Sequence, residues 1–230
     1  MATTTIPSLD HSGSFQAYRA DPQRDPRGAI VVIQEIFGVN EGIRRKCDHF
    51  AALGYMAFAP DLFWRLEPAI ELDPDVPAQF QQALDWMGKF DQDKGIEDIE
   101  ATIRAARAAS GGKVGVTGYC LGGRLAYMTA ARTDSDATVG YYAVGIDSLL
   151  GEKHAIANPL MLHIAGDDHF VSKEIQATMH QGLDDHPKVT LHDYPGEDHG
   201  FATEMGKRRS DAAAELADSR TEAFFAAHIG

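Results

Sequence analysis

The sequence contains only two cysteines, Cys47 and Cys120, among 230 residues. A secreted fold held by disulfides needs several cysteine pairs, so both side chains are expected to be free thiols in a reducing compartment. No stretch approaches the roughly 20 apolar residues that span a membrane. Residues 1–15 have neither the basic nor the apolar region of a signal peptide. We therefore expect a cytoplasmic protein without a membrane segment.

Positive charge is scarce as well. The 21 Lys and Arg residues face 34 Asp and Glu residues, which gives a formal net charge of -13. A phosphate backbone or an anionic membrane surface would be repelled, so neither nucleic acid nor membrane is expected as a partner. No clustered Cys and His spacing indicates a metal site, and no cofactor is expected. The expected partner is a small-molecule substrate.

Internal repeats, low-complexity tracts and linker-like segments are also absent, and 44% of the residues are hydrophobic. A chain of this length and composition can bury a sizeable core. Residues 1–230 are therefore expected to form a single domain. The oligomeric state is left open between a monomer and a small homo-oligomer.

Short apolar runs alternate with longer helical patterns along the chain, which is typical of an α/β fold with a mostly parallel central sheet and helices on both faces. The strands are predicted at residues 29–34, 55–59, 113–117, 138–144, 160–165 and 189–194. Helices are predicted at residues 44–53 and 121–132, around the apolar periodicities of 80–87, 96–103 and 175–183, and from about residue 208. The helices through 80–87 and 96–103 are both expected to be amphipathic, with one packed face each. In the last helix, Leu216, Ala223 and Phe224 are expected to face inward.

Residues 118–123, with the sequence GYCLGG, join a predicted strand to a predicted helix. Glycines two residues before and after a nucleophile remove the side chains that would collide in a sharp turn, which is the pattern of a nucleophile elbow. Cys120 would then stand above the sheet, beside backbone amides that stabilise a thiolate and an oxyanion. The same six residues also fit a buried cysteine among tightly packed glycines.

A base and an acid follow Cys120 in the order that such a nucleophile needs. Asp168 comes after the strand 160–165, at a strand end where open α/β sheets place their sites. His199 follows the last predicted strand. Asp167 stands next to Asp168, and spacing alone does not separate the two carboxylates.

Five segments together resemble the dienelactone hydrolase family of the α/β-hydrolase superfamily: QEIFGVN at 34–40, PDL at 60–62, GYCLGG at 118–123, GYY at 140–142 and GDDHFV at 166–171. The resemblance extends over nearly the whole chain and implies the α/β-hydrolase fold. It implies that Cys120, His199 and Asp168, rather than Asp167, form a catalytic triad. It also implies an oxyanion hole made by the backbone N–H groups of Ile36 and Leu121.

Glu35 lies just past the end of the apolar run 29–33, where a carboxylate is costly unless it is paired or protonated. It is either an ordinary polar residue at a strand end or, as the resemblance implies, a residue that contacts the resting thiol. A nearby carboxylate disfavours a thiolate, so Cys120 would stay neutral without substrate. Substrate would displace Glu35, which would accept the thiol proton and leave the thiolate paired with His199.

The sequence departs from the family pattern in the substrate site. Dienelactone hydrolases that bind a carboxylated lactone use two arginines, and at the matching positions this chain has Phe80, or Ala78 in a shifted alignment, and Thr203. Neither side chain binds a carboxylate as arginine does, so neutral apolar substrates are expected. Four other cations remain candidates for such a role: Arg65, Arg124, Lys207 and Arg208.

The leading hypothesis is a cysteine-dependent hydrolase of carboxylic esters or lactones with an acyl-enzyme intermediate. One alternative is a true dienelactone hydrolase with a rearranged carboxylate site. A second alternative is a non-catalytic or thiol-sensing protein that keeps the fold, because fold and function separate easily.

Overall fold

The computed structural model describes residues 2–230, and its centre is one eight-stranded sheet in the order β1-β2-β4-β3-β5-β6-β7-β8. Strands β3 to β8 pair in parallel, while β1 and β2 add an antiparallel edge. The strands are β1 Ala2–Pro7, β2 Ser14–Ala20, β3 Ala29–Ile33, β4 Met56–Pro60, β5 Val114–Tyr119, β6 Ala137–Tyr141, β7 Leu160–Ala165 and β8 Val189–Tyr194.

Helices cover both faces of this sheet. They are α1 Glu41–Ala52, α2 Pro77–Met87, α3 Gln92–Ser110, α4 Leu121–Arg132, α5 Lys173–Leu183 and α6 Asp211–His228, with a 3₁₀ helix at Asp147–Ala155. Alternate residues of β3 belong to different cores: Val31 packs in the cluster that contains α3, α4 and α5, and Val32 in the cluster that contains α1 and α6. A strand covered on both faces is apolar throughout, which explains the unbroken run of β3. Within residues 2–230, no helix has the length and apolarity needed to cross a lipid bilayer.

Local signals set the helix ends. The Asn40 side chain accepts a hydrogen bond from the Ile43 amide, so α1 begins three residues before the predicted start. Gly54, at φ +97°, follows the end of α1 in the left-handed conformation that glycine adopts freely. Asp91 caps the start of α3 through two backbone amides, and Gly111 ends it at φ +67°.

The predicted α/β-hydrolase architecture is confirmed, with differences in detail. Strands β7 and β8 have the predicted bounds, whereas β5 extends past Gly118 to Tyr119 and β6 stops at Tyr141. Strands β1 and β2 and the 3₁₀ helix were not predicted. The prediction for α6 was wrong at two positions: Leu216 is 48% exposed and Ala223 is exposed, while Phe224 is buried. The inward face of α6 consists mostly of small residues, which a search for large apolar side chains passes over.

Candidate active site

The turn between β5 and α4 holds Cys120 in a strained conformation, at φ 57° and ψ -115°. A side chain at Gly118 would collide with the Gly122 carbonyl oxygen, and one at Gly122 would lie 2.6 Å from the Gln34 carbonyl oxygen. Strand and helix can approach this closely only because both positions are glycine. The strain is local to the one residue whose side chain must stand clear of the sheet.

His199 and Asp168 lie at the ends of neighbouring strands, in the loops after β8 and β7. The His199 Nδ1 atom is 2.9 Å from Asp168 Oδ2, and the two residues are only 3% and 6% exposed. Burial lowers the pKa of His199, but its interaction with Cys120 and the hydrogen bond to Asp168 outweigh it and raise the pKa to about 10. Nε2 is buried and has no partner of hydrogen-bonding geometry among residues 2–230. Asp168 thus orients the imidazole through Nδ1, and the histidine lines the cavity together with Cys120.

The two neighbouring aspartates have different surroundings. Asp168 is buried, and its second carboxylate oxygen, Oδ1, accepts the Phe170 backbone amide at 2.8 Å. Asp167 is exposed and accepts from Lys173 Nζ at 2.9 Å. Only Asp168 contacts the histidine.

The backbone amides expected to hold an oxyanion belong to Ile36, in the loop after β3, and to Leu121, directly after Cys120. Ile36 follows the β3 strand end, and Leu121 is the first residue of α4. The first backbone hydrogen bond of α4 runs from the Arg124 amide to the Cys120 carbonyl, so the Leu121 amide precedes the hydrogen-bonded turn of the helix. Ile36 and Leu121 line the same cavity as Cys120 and His199.

Glu35 is buried beside the candidate triad and lines that cavity too. Its Oε1 atom accepts a hydrogen bond from the Tyr142 hydroxyl at 3.3 Å. Burial raises the pKa of Glu35, and the His199 charge and the Tyr142 hydrogen bond reduce that rise without cancelling it. A carboxyl group with a raised pKa can take up a proton near neutral pH.

Tyr142 is a site residue that sequence reasoning missed. Its backbone has φ 36°, and its ring lies edge-on to the imidazole of His199, with the centroids 5.1 Å apart. It connects Glu35 to His199 through one buried side chain. The GYY motif marked its position, but no sequence signal reports the unusual backbone angle that turns this ring toward the site.

A cavity of about 380 Å³ opens in front of Cys120, and both expected substrate-binding residues, Phe80 and Thr203, line it. Its wall is mostly apolar, with contributions from Phe37, Pro74, Leu84, Met87, Val144, Phe170 and Met205. The predicted packed face of α2 is present. Ala83 is buried in the core, and half-buried Phe80 and Leu84 pack against it. The stripe that contains Phe80 also faces the cavity, where Met87 is exposed.

Of the four candidate cations, the structure brings Arg124 and Arg208 to the cavity wall. Arg124 is held by Gln92 Oε1 at 2.8 Å and by nearby carbonyl oxygens. Arg65 is paired with Asp98 and Asp10 elsewhere. Lys207 is not among the described residues that line the cavity.

Arg208 is exposed and lies over the Phe80 ring, with its guanidinium carbon 5.4 Å from the centroid. It forms no ion pair with a side chain of residues 2–230. Arg208 is therefore the cation at this cavity that is best placed to meet a ligand.

One group of side chains in residues 2–230 has the spacing of metal ligands. Asp168, His169 and Asp198 each offer an atom within 4.8 Å of the others. Two of these atoms already bond to each other, since His169 Nδ1 is 2.7 Å from Asp198 Oδ1, and Asp168 bonds to His199. Hydrogen bonds within the protein account for this arrangement.

The two free thiols differ in access, which predicts the outcome of alkylation. Cys47 is fully buried and burial raises its pKa, whereas Cys120 is partly exposed at the cavity. Because iodoacetamide reacts with accessible thiolates, we expect native protein to be labelled at Cys120 first and Cys47 to react only after unfolding. Mass spectrometry of the labelled peptides measures this directly, and faster labelling of Cys47 would contradict it.

The chain is similar to dienelactone hydrolases in both sequence and structure. Residues 15–229 match the model of the dienelactone hydrolase family. A protein of Azospirillum brasilense, provisionally named carboxymethylenebutenolidase, is 45% identical over 237 residues, with all of both chains covered. Carboxymethylenebutenolidase of Pseudomonas putida is 38% identical, covering 98% of this chain and 97% of its own. The crystal structure of a provisionally named dienelactone hydrolase from Klebsiella pneumoniae has a TM-score of 0.84 at 28% identity, covering 98% of this chain and 97% of that chain.

Proposed function

Because the chain belongs to the dienelactone hydrolase family, we propose that it cleaves its ester or lactone substrates through a thiolate at Cys120. Membership of this family makes it a hydrolase of the lactone or ester type and favours an enzyme over a non-catalytic homologue. The observation that carries the cysteine mechanism is the buried His199–Asp168 pair, 2.9 Å apart, at the cavity that Cys120 enters. Turnover of activated esters and simple lactones tests it first.

In the proposed reaction the Cys120 sulfur attacks the substrate carbonyl carbon, and the carbonyl oxygen becomes an oxyanion. The backbone amides of Ile36 and Leu121 stabilise that charge. The tetrahedral intermediate collapses with cleavage of the C–O bond, and protonated His199 gives its Nε2 proton to the departing alkoxide. An acyl-thioester at Cys120 remains.

Water completes the cycle. Neutral His199 removes a proton from a water molecule, whose oxygen attacks the thioester carbonyl carbon. The C–S bond then breaks, which releases the carboxylic acid and returns the Cys120 sulfur to its thiolate form. Asp168 keeps Nδ1 protonated throughout, so that Nε2 is the nitrogen that exchanges protons.

Glu35 supplies a testable step before the attack. If it keeps the resting thiol protonated, Glu35→Ala removes a nearby negative charge, and the fraction of Cys120 present as thiolate at a given pH should rise. If it also accepts the thiol proton, kcat/KM should fall by about a hundred-fold. Thiolate ultraviolet absorbance against pH and ester turnover measure the two effects separately.

Asp75 provides the matched control, because it is another carboxylate on the cavity wall but is exposed. Asp75→Ala should leave the thiolate titration where it is. An unchanged or smaller thiolate fraction in Glu35→Ala would limit Glu35 to a structural role.

A carboxylated lactone is the second candidate substrate. Two observations favour it: Arg208 lies at the cavity without an ion-pair partner among residues 2–230, and the relatives are named carboxymethylenebutenolidases. We place neutral substrates first, because an ion pair with an exposed arginine adds only about 0.2–1 kcal/mol. Burying an uncompensated carboxylate beside Phe80 costs several kcal/mol.

We therefore expect a neutral ester or lactone to have a higher kcat/KM than an analogue that differs only by an added carboxylate. Steady-state kinetics on such a pair measure the preference. The reverse preference, lost in Arg208→Gln but kept in Lys207→Gln, would establish the carboxylated lactone as the substrate class and Arg208 as its anchor.

A further inference from the structure

Large apolar side chains that face solvent are few in this protein and are partly gathered at one place. Among residues 2–230 the exposed ones are Leu66, Val76, Met87, Phe170 and Leu216. Met87 and Phe170, at 40% and 44% exposure, both line the cavity in front of Cys120. Exposed apolar side chains that gather at a cavity mouth indicate a surface that a ligand covers.

One wall of this cavity is a continuous apolar face of α2. Phe80, Leu84 and Met87 are spaced at i, i+4 and i+7, so they follow one side of the helix for about 10 Å. Exposure rises along this face, from half-buried Phe80 against Phe37 to exposed Met87. The face leads from inside the cavity to its mouth.

The cavity volume also exceeds what a minimal ester needs. At about 380 Å³ it lies in the range of pockets that enclose drug-sized ligands. Polar groups for a larger substrate are few along α2, since the three side chains that line the cavity from this helix are all apolar. The free space beside α2 therefore suits hydrocarbon.

Building on the hydrolysis proposed above, we propose that this α2 face binds an apolar alkyl or aryl group of the substrate. The substrate class is then an ester or lactone with a hydrophobic substituent several carbons long. Each methylene buried on the face should raise kcat/KM by up to about four-fold, until the chain passes Met87 and reaches solvent.

Two ester series test the proposal and separate the two ends of the substrate. The first keeps a nitrophenyl leaving group and lengthens the acyl chain from acetate through butanoate and hexanoate to octanoate. The second keeps the acetyl group and lengthens the alcohol. We expect kcat/KM to rise at least ten-fold between acetate and hexanoate, or between the matching alcohols, in one of the two series.

Variants locate the effect. Leu84→Asp places a charge in the middle of the face, so the ratio of hexanoate to acetate kcat/KM, or the matching alcohol ratio, should fall to near one. Leu216→Asp changes another exposed leucine, on α6, and should keep the wild-type ratio. The proposal would be overturned if wild-type kcat/KM stayed flat or fell with chain length in both the acyl and the alcohol series. It would also be overturned if Leu84→Asp kept the wild-type chain-length ratio. Failure to hydrolyse any ester would instead contradict the proposed function on which it rests.

A second inference rests on a different observation, the hydrogen bonds of Asp198. Its Oδ1 atom accepts from the His169 amide at 3.0 Å, from His169 Nδ1 at 2.7 Å and from the His199 amide at 2.7 Å. One carboxylate oxygen therefore joins the loop of the candidate acid to the loop of the candidate base. Burial raises the pKa of Asp198, but these bonds outweigh it and lower the pKa to about 2.

We infer that Asp198 is a positioning residue, which fixes the two loops so that Asp168 and His199 meet at 2.9 Å. The contact continues through the next side chain, because the Phe170 ring packs against His169 at a tilt of 42° and lies edge-on to His199 at 4.8 Å. A shift of the loop after β7 would thus move two neighbours of the imidazole together. Charge-assisted bonds to one oxygen resist such a shift.

Asp198→Ala should lower kcat at least ten-fold with little change in KM, because substrate contacts are intact while the imidazole is misplaced. Asp198→Asn should recover most of kcat, since its amide oxygen can still accept both backbone amides. Asp184→Ala removes a comparably exposed partner of His180, directly after the end of α5, and serves as the control. Wild-type kcat in Asp198→Ala, an effect confined to KM, or no recovery in Asp198→Asn would overturn the inference.

Discussion

Cys120→Ala is expected to reduce kcat/KM for an activated ester by about 10⁴-fold or more while the protein stays folded. The variant removes the only atom that attacks the carbonyl carbon in the proposed mechanism. The oxyanion amides remain and account for any residual rate. Steady-state turnover and thermal unfolding of the same preparation measure activity and folding together.

Cys47→Ala is the matched control. Cys47 is the other free thiol, but it lies buried on α1 in the core that also contains α6. We expect it to lower thermal stability modestly and to keep turnover per folded molecule. Near wild-type turnover in Cys120→Ala would remove Cys120 from the role of nucleophile.

Asp168→Asn is expected to lower kcat by about 10³-fold to 10⁴-fold. An amide at this position holds the His199 ring but favours the wrong tautomer, so Nε2 no longer serves as the base. Asp167→Asn makes the same chemical change one residue earlier, at an exposed carboxylate bound to Lys173. It should retain wild-type kcat within a factor of two or so. Equal losses in the two variants would contradict the assignment of the acid.

The central fold could be predicted from sequence because parallel strands covered on both faces leave short, uninterrupted apolar runs, as at β3 and β7. Edge strands leave a weaker record. In β1 only Ile6 is buried, and in β2 burial is limited to Phe15, Ala17 and Ala20. Their alternation was too polar to stand out against a loop.

The face of α2 illustrates a limit of periodicity. A stripe through Phe80, Leu84 and Met87 has the same spacing whether it meets the protein core or an open cavity. Sequence alone identifies the helix and its apolar side, but the partner of that side is a property of the tertiary structure. In α6 the size of the apolar residues misleads instead. Leu216 is large but exposed, while the inward face consists mostly of small residues such as Ala214 and Ala217.

The candidate triad could be proposed from sequence because its parts follow strand ends in a fixed order, and strand ends of a parallel sheet converge at one edge. Spacing left Asp167 and Asp168 as alternatives, and the family resemblance favoured Asp168. Tyr142 and Asp198 could not be identified in this way. The role of Tyr142 depends on its backbone angle, and that of Asp198 on the contact between two loops. Sequence alone did not separate Arg208 from the three other candidate cations, because its position over Phe80 is a tertiary contact. Contacts between loops distant in sequence have no periodic signature.

Acylation of Cys120 during turnover can be tested by trapping the acyl group on the enzyme. A slowly deacylating ester is mixed with the enzyme, the reaction is stopped with acid within one turnover, and the peptides are analysed by mass spectrometry. We expect an acyl mass increment on the peptide that contains Cys120 and none on the Cys47 peptide. Turnover without any acylated Cys120, or the increment on another residue, would contradict this expectation.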